Sequence, residues 1–196
     1  MPDSKTWERV ASALHVGNWG FLMKQENLHL TGVERHFDDD EIIVSKTDPK
    51  GRITYANDVF LRMSGYNESG LLGQPHSIIR HPDMPRCVFA LMWETIIKGR
   101  EIFAYVINRA ANGDHYWVLA NVTPTFNPDG TIRGFHSNRR KPGRDAVKSA
   151  ADLYKQLCAE EAAVQNRRDG MARGTATLVD LLKSQGVDYD QFVFTL

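Results

Sequence analysis

Cysteine is scarce in this sequence, which has only Cys87 and Cys158 and no Cys-x-x-Cys pair. A disulfide framework needs several cysteines at regular spacing, and cysteine-rich zinc sites need closely spaced pairs. The sequence fits neither class, and we therefore expect two reduced thiols.

Long hydrophobic runs are also missing. No apolar stretch approaches the roughly 18 residues of a membrane-spanning helix, and residues 1–4 do not open a basic segment followed by an apolar one. We therefore expect a soluble, cytoplasmic protein that has neither a membrane segment nor an output domain of its own.

The sequence has no excess charge of either sign, because 24 basic residues balance 24 acidic ones. Proteins that bind the phosphate backbone of nucleic acids usually carry a basic surface. Nucleic acid is therefore disfavoured as a partner. The short basic run Arg139-Arg140-Lys141 is typical of solvated surface.

Common catalytic motifs are absent as well. The sequence has no Gly-x-x-x-x-Gly-Lys loop for phosphates, no His-Glu-x-x-His metal pair and no Gly-x-Ser-x-Gly nucleophile turn. The acidic run at 38–41 could hold a hard cation only if it curled into a loop with spaced ligands. We therefore expect neither an enzyme nor a metal site.

What is present is enough apolar sequence for one core. At 196 residues and 42% hydrophobic content, the chain can bury one domain with helical additions. We divide it into an N-terminal helical cap at 1–37, a central domain at 38–141 and a C-terminal helical extension at 142–196.

A five-stranded antiparallel sheet is predicted for the central domain. Asn112-Gly113 favours a tight hairpin, because both central positions of that turn need positive φ, and Asn127-Pro128-Asp129-Gly130 supplies the next turn. Helices are expected at 57–63 and 83–97, on one face of the sheet, so the fold class is α+β. The predicted strands are 41–46, 52–55, 102–109, 114–126 and 131–139.

Both flanks have apolar residues at helical spacing. The N-terminal stripe is Trp7, Val10, Ala11 and Leu14, and a heptad-like stripe extends over 147–182. Glycines near 170 leave one long helix or two helices open. The C-terminal stripe either packs on the chain's own sheet or pairs with another helix. We expect a homodimer that forms through the N-terminal helix.

The most distinctive segment is the elbow, Arg80-His81-Pro82-Asp83-Met84-Pro85. Each proline removes a backbone donor and restricts the residue before it, so this segment is rigid. Asp83 is placed to cap the helix that follows. Arg80 and His81 beside a helix start suit an anionic or phosphate-bearing ligand.

Several motifs together resemble a PAS domain over residues 40–141. The specific ones are the elbow and Gly113-Asp114-His115-Tyr116-Trp117, which resemble the FAD-binding sensor of bacterial aerotaxis transducers; Tyr55-Ala56-Asn57-Asp58 indicates only PAS. The resemblance implies a PAS fold, non-covalent FAD, and a redox or oxygen signal passed to a protein partner or within a dimer.

The resemblance also implies candidate cofactor contacts. Flavin needs a flat apolar slot, amides or hydroxyls for its pyrimidine edge, and donors for its pyrophosphate. The elbow supplies Arg80, His81 and Asp83, although Asp83 could act as a helix cap alone. Phe103 stands where the aerotaxis subtype usually has Trp, which opens the site to another ligand. The other candidates are Asn57, His76, Trp93, Asn108 and Asn121.

Two alternatives to FAD remain open at this point. Some PAS domains bind haem through one histidine, and His81, His115 and His136 are possible axial ligands. The pocket could instead be empty or filled with lipid, in a module that only dimerises. A light-driven cysteine adduct is disfavoured, because Cys87 lies too far into the helix after the elbow.

Overall fold

The structure, a computed structural model, describes residues 29–196. The predicted N-terminal helix with Trp7 and Leu14 lies outside these residues. The described chain forms two compact units: one contains 29–82 and 95–142, and the other contains 83–94 and 143–196.

The first unit contains a five-stranded antiparallel sheet in the order β2-β1-β5-β4-β3. All five predicted strands are confirmed, and the α+β fold class with them. Gly113 and Gly130 have φ of 96° and 82° in the turns that end β3 and β4, a conformation that glycine adopts easily. The predicted two-residue turn at Asn112-Gly113 was wrong in its length, because the Ala110 amide donates to the Asp114 carbonyl and leaves a loop of three residues, 111–113. The strands are β1 Ile43–Thr47, β2 Ile53–Ala56, β3 Ile102–Arg109, β4 His115–Phe126 and β5 Ile132–Arg140.

Short helices follow β2 in the same unit: α1 is Asp58–Ser64, α2 is Glu68–Leu71, and a 3-10 helix covers His76–Ile79. Asn57 begins α1, since its side chain accepts the backbone N–H of Phe60. Phe60 and the 3-10 residue His76 stack with ring centroids 6.0 Å apart.

Cross-strand register divides the sheet residues between two faces, because paired residues of neighbouring antiparallel strands lie on the same face. Asn108 pairs with Tyr116, Ala120 pairs with Arg139, and Ser45 pairs with Ser137. We call this face, to which Phe60 and His76 also contribute contacts, the inner face. Its hydrophobic core includes Ile43, Ile102, Ala104, Val118 and Ala120.

The second unit is helical. The C-terminal stripe forms two long helices and a short third one, separated at 163–166, where Asn166 caps the second by accepting the amides of Arg168 and Asp169. Of the two alternatives left open, two helices are therefore observed, and the break lies a few residues before Gly170. The helices are α3 Arg86–Ile97, α4 Arg144–Ala162, α5 Arg167–Gln185 and α6 Tyr189–Thr195.

The start of α3 differs from the prediction. The helix begins at Arg86, three residues after Asp83. The backbone amides of Arg86 and Cys87 donate to the two carboxylate oxygens of Glu161, at 3.1 and 2.7 Å. A carboxylate 75 positions along the chain thus supplies a cap that local sequence does not reveal.

Two glycines of α5 lie against the same carboxylate-bearing residue. A Cβ at Gly170 would overlap the Glu161 carbonyl oxygen, and a Cβ at Gly174 would lie 2.9 Å from Glu161 Cγ and 3.1 Å from Cys87 Sγ. These glycines therefore allow α5 to approach α4 closely, which is why they occur in a helix they would otherwise weaken.

Within residues 29–196, no helix is long and apolar enough to cross a membrane. At the C-terminal end, Phe192 and Val193 of α6 are buried, whereas Phe194 is exposed.

Candidate functional site

Besides Ser45 on β1, four polar side chains lie buried on the apolar inner face of the sheet. Asn108 on β3 and Arg139 on β5 are each only 3% exposed, and Tyr116 and Ser137 are also buried. The short basic run at 139–141 is therefore not all surface. The prediction was wrong for Arg139, because strand alternation turns its side chain inward and that of Arg140 outward.

Each of these four side chains has a buried polar atom without a partner among the described residues. The atoms are Asn108 Nδ2, Tyr116 Oη, Ser137 Oγ and Arg139 Nη1. Leaving one such group unsatisfied costs about 1–3 kcal/mol, and folded proteins leave few of them. Four such atoms on one sheet face are available to hydrogen-bond a polar group.

Arg139 holds a small polar cluster together. Its Nη2 lies 2.8 Å from Ser45 Oγ and 2.6 Å from His76 Nε2. Because a guanidinium only donates, His76 Nε2 is the acceptor in this contact and its other ring nitrogen carries the proton. Arg139 Cζ also lies 5.2 Å from the centre of the Phe60 ring.

Burial sets the charge states of this cluster. Desolvation, followed by repulsion from Arg139, lowers the pKa of His76 to about 3, so the imidazole is neutral at pH 7. Desolvation also lowers the pKa of Arg139 to about 10, which still leaves the guanidinium charged. Burial raises the pKa of Tyr116, so its phenol stays protonated. The inner face thus carries one positive charge.

The predicted site residue Asn57 has a structural role that occupies its amide. Its Oδ1 accepts the backbone amides of Val44 and Phe60 at 2.9 and 3.1 Å, and its Nδ2 donates to the Ile42 carbonyl at 2.8 Å. Asn57 therefore joins β1 to the start of α1, and we leave it out of the proposed ligand contacts.

The other two predicted asparagines lie on opposite faces of the sheet. Asn108 is on the inner face with Tyr116, whereas Asn121 pairs with Phe103 and Asn138 on the outer face. Asn121 Nδ2 donates to Glu101 Oε2 at 3.1 Å. Of these residues, the register brings only Asn108 to the polar cluster.

The elbow connects the two units along the chain. Arg80 ends the 3-10 helix and its backbone bridges to Asn108 of β3. The buried His81 ring lies 5.8 Å from that of His115. Asp83 is exposed in the turn that follows. Arg80 and His81 thus border the strand that carries Asn108.

Trp93 belongs to the helical unit, where its ring meets the edge of Phe89 at a centroid distance of 6.4 Å. No group of three or more histidine, cysteine, aspartate or glutamate side chains in residues 29–196 is arranged to hold a metal ion.

Comparison with known proteins identifies the fold. Residues 42–137 match the family model of the PAS fold. This chain contains a PAS domain. Solved structures agree: the light-state structure of the blue-light photoreceptor Aureochrome1 LOV superposes with a TM-score of 0.51 at 20% identity, over 60% of this chain and 92% of that chain. The predicted family and fold are therefore confirmed.

Two curated relatives are much longer proteins, and this chain matches only part of each. The chain is 46% identical over 119 residues to the aerotaxis receptor of Escherichia coli, covering 61% of this chain and 23% of the receptor. It is 30% identical over 140 residues to the nitrogen fixation regulatory protein of Klebsiella pneumoniae, covering 71% and 26%. The chain thus spans about a quarter of these relatives and contains a PAS sensor domain related to that of the aerotaxis receptor.

Sequence reasoning missed Ser45, Tyr116, Ser137 and Arg139 of the PAS domain. The signal was present for the last two, because Phe135, Ser137 and Arg139 alternate along one predicted strand, and the apolar Phe135 marks the inward face. The sequence motif around Tyr116 was used only for the resemblance.

Proposed function

We propose that the PAS domain binds FAD non-covalently against the inner face of its sheet and reports the redox state of the flavin. The observation that supports this most strongly is the set of four buried polar atoms that have no partner within residues 29–196, on Asn108, Tyr116, Ser137 and Arg139. A flavin pocket needs such groups on an otherwise apolar wall.

The residues fit the chemistry of a flavin. Its pyrimidine edge carries both donors and acceptors, which an amide, two hydroxyls and a guanidinium can satisfy. When bound, the flavin supplies the electron chemistry, and the protein binds and orients it. The elbow residues Arg80, His81 and Asp83 would serve the pyrophosphate end, as the resemblance implies.

Other predicted contacts are weaker parts of the proposal. His76 would act through Arg139, with which it shares a hydrogen bond. Phe103 and Asn121 lie on the outer face, so we leave them out of the proposed flavin contacts. Trp93, on α3, stays a prediction.

The connection between the elbow and α3 supports a signalling role for the bound flavin. The elbow leads directly into α3, so a ligand held by Arg80 acts on a segment that is continuous with the helical unit. We propose that this unit, or a dimer formed through the N-terminal helix, passes the signal to a protein partner. We also propose a cytoplasmic location, as read from the sequence, and no catalytic turnover.

The absorption spectrum of the purified protein tests this function. We expect oxidised flavin bands that dithionite bleaches and air restores, release of FAD on denaturation, and a different limited-proteolysis pattern in 143–196 between the two states. A Soret band would replace FAD by haem, and a colourless protein would favour a module that only dimerises. Identical proteolysis in both states would contradict the sensor role.

A further inference from the structure

Arg139 is a buried cation without an acidic partner in residues 29–196. Within these residues the guanidinium contacts the Ser45 hydroxyl, the His76 ring nitrogen and the Phe60 ring, and its Nη1 has no partner. None of these contacts carries a negative charge. Tyr116, whose ionised form would raise the pKa of Arg139, is a protonated phenol on the same face.

Such an arrangement is costly without a ligand. Removing a charge from water costs several kcal/mol, and folded proteins normally pair a buried charge. A cation over an aromatic ring contributes about 0.5–2 kcal/mol, so Phe60 offsets only part of this cost. The remaining unpaired positive charge favours an anion or an electron-rich ring edge at the inner face.

We propose that Arg139 makes this site selective for the reduced, anionic flavin over the oxidised, uncharged one. The inference rests on the proposed function. Two electrons from an external donor such as a reduced nicotinamide, together with one proton, leave the flavin ring with one negative charge. The guanidinium supplies the countercharge, so a second proton is not needed.

This selectivity gives the protein a way to read the redox state. A ligand shifts a protein only through a difference in affinity between two states. Arg139 contacts Ser45 on β1 and His76 on the 3-10 helix. A new negative charge at Nη1 competes with both contacts, so flavin reduction acts on β1 and on the 3-10 helix that leads into the elbow.

The midpoint reduction potential of the bound flavin tests the inference. We compare wild type with Arg139→Gln and with the matched control Arg140→Gln. The control removes the same charge from the next residue, whose side chain is exposed. In Arg139→Gln we expect the preference for the reduced flavin to fall about tenfold, which lowers the midpoint potential by about 30 mV for a two-electron couple. Arg140→Gln should match wild type.

Ser45→Asp provides a second variant that keeps Arg139. Because Ser45 Oγ lies 2.8 Å from Arg139 Nη2, a carboxylate there gives the guanidinium a counter-ion, which should lower the potential similarly without unfolding the protein. This variant decides the question if Arg139→Gln does not fold.

An unchanged potential in Ser45→Asp or in folded Arg139→Gln overturns the inference, while a yellow wild type leaves the proposed function standing. Folded Arg139→Gln that cannot hold oxidised FAD also overturns it, since Arg139 would then serve both redox states. A colourless wild type overturns the proposed function and this inference together.

Discussion

Arg86 Nε donates to Glu161 Oε2 at 2.7 Å, in an ion pair whose side chains are only 17% and 5% exposed. The same carboxylate accepts the first backbone amides of α3, and Arg86 also donates to the Glu161 carbonyl at 3.1 Å. One residue of α4 thus fixes the helix that follows the elbow, by a contact between positions 75 residues apart.

Glu161→Ala should destabilise the protein by about 3 kcal/mol, because it removes the carboxylate partner of a largely buried guanidinium and leaves two helix-start amides unsatisfied. Urea unfolding followed by circular dichroism measures this. Glu160→Ala is the matched control: Glu160 pairs with Arg173 on the surface, so its loss should cost less than about 1 kcal/mol. Equal effects of the two changes would contradict the assigned role of Glu161.

Gly170→Ala should also destabilise the protein, by about 1–3 kcal/mol. Alanine normally strengthens a helix interior relative to glycine by up to about 1 kcal/mol, but the added Cβ would overlap the Glu161 backbone. Gly143→Ala is the control, because its Cβ meets open space. A thermal melt showing Gly170→Ala to be more stable than wild type would contradict the close approach of α4 and α5.

Asn57→Ala should reduce stability by about 1–2 kcal/mol through the lost α1 cap, while the folded protein keeps its flavin. Asn67→Ala removes the exposed cap of the four-residue α2 and should cost less. Chemical unfolding and the flavin-to-protein absorbance ratio separate the two roles. A stable Asn57→Ala protein without flavin would contradict the purely structural role and would show that Asn57 contacts the cofactor.

Arg80→Ala should remove most of the bound FAD and leave the sheet folded, since the charge-assisted contact to a phosphate is lost. Arg133→Ala, which removes an exposed charge from β5, should keep the flavin. Flavin content and circular dichroism are measured together. Full retention of FAD by the Arg80→Ala protein would remove the elbow from the proposed site.

The sheet could be predicted from the sequence because its signals are local. Asn112-Gly113 and the turn at 127–130 ended the strands within one residue of where they end in the structure. The faces could not be read from the predicted turn. A two-residue turn at Asn112-Gly113 would pair Asn108 with Trp117 and Asn121 with Ala104, which places both asparagines on one face. The observed three-residue loop shifts the register by one residue, pairs Asn108 with Tyr116 and Asn121 with Phe103, and so separates them.

Long-range contacts could not be predicted in the same way. Asp83 is a reasonable cap by local rules, and only the folded chain brings Glu161 to α3. Gly170 and Gly174 read as helix-weakening residues until their neighbour Glu161 is known. Arg139 in a basic run resembles solvated surface, and its burial depends on Phe60 and His76, which come from distant segments.

The central claim is that the flavin lies against the inner face of the PAS sheet. The amount of FAD per chain in wild type, Asn108→Leu and Asn121→Leu tests it most directly, because these equivalent changes lie on the two faces. We predict FAD in wild type and in Asn121→Leu, and most of it lost from folded Asn108→Leu. Retention by Asn108→Leu with loss from Asn121→Leu, or no FAD in wild type, would contradict the claim.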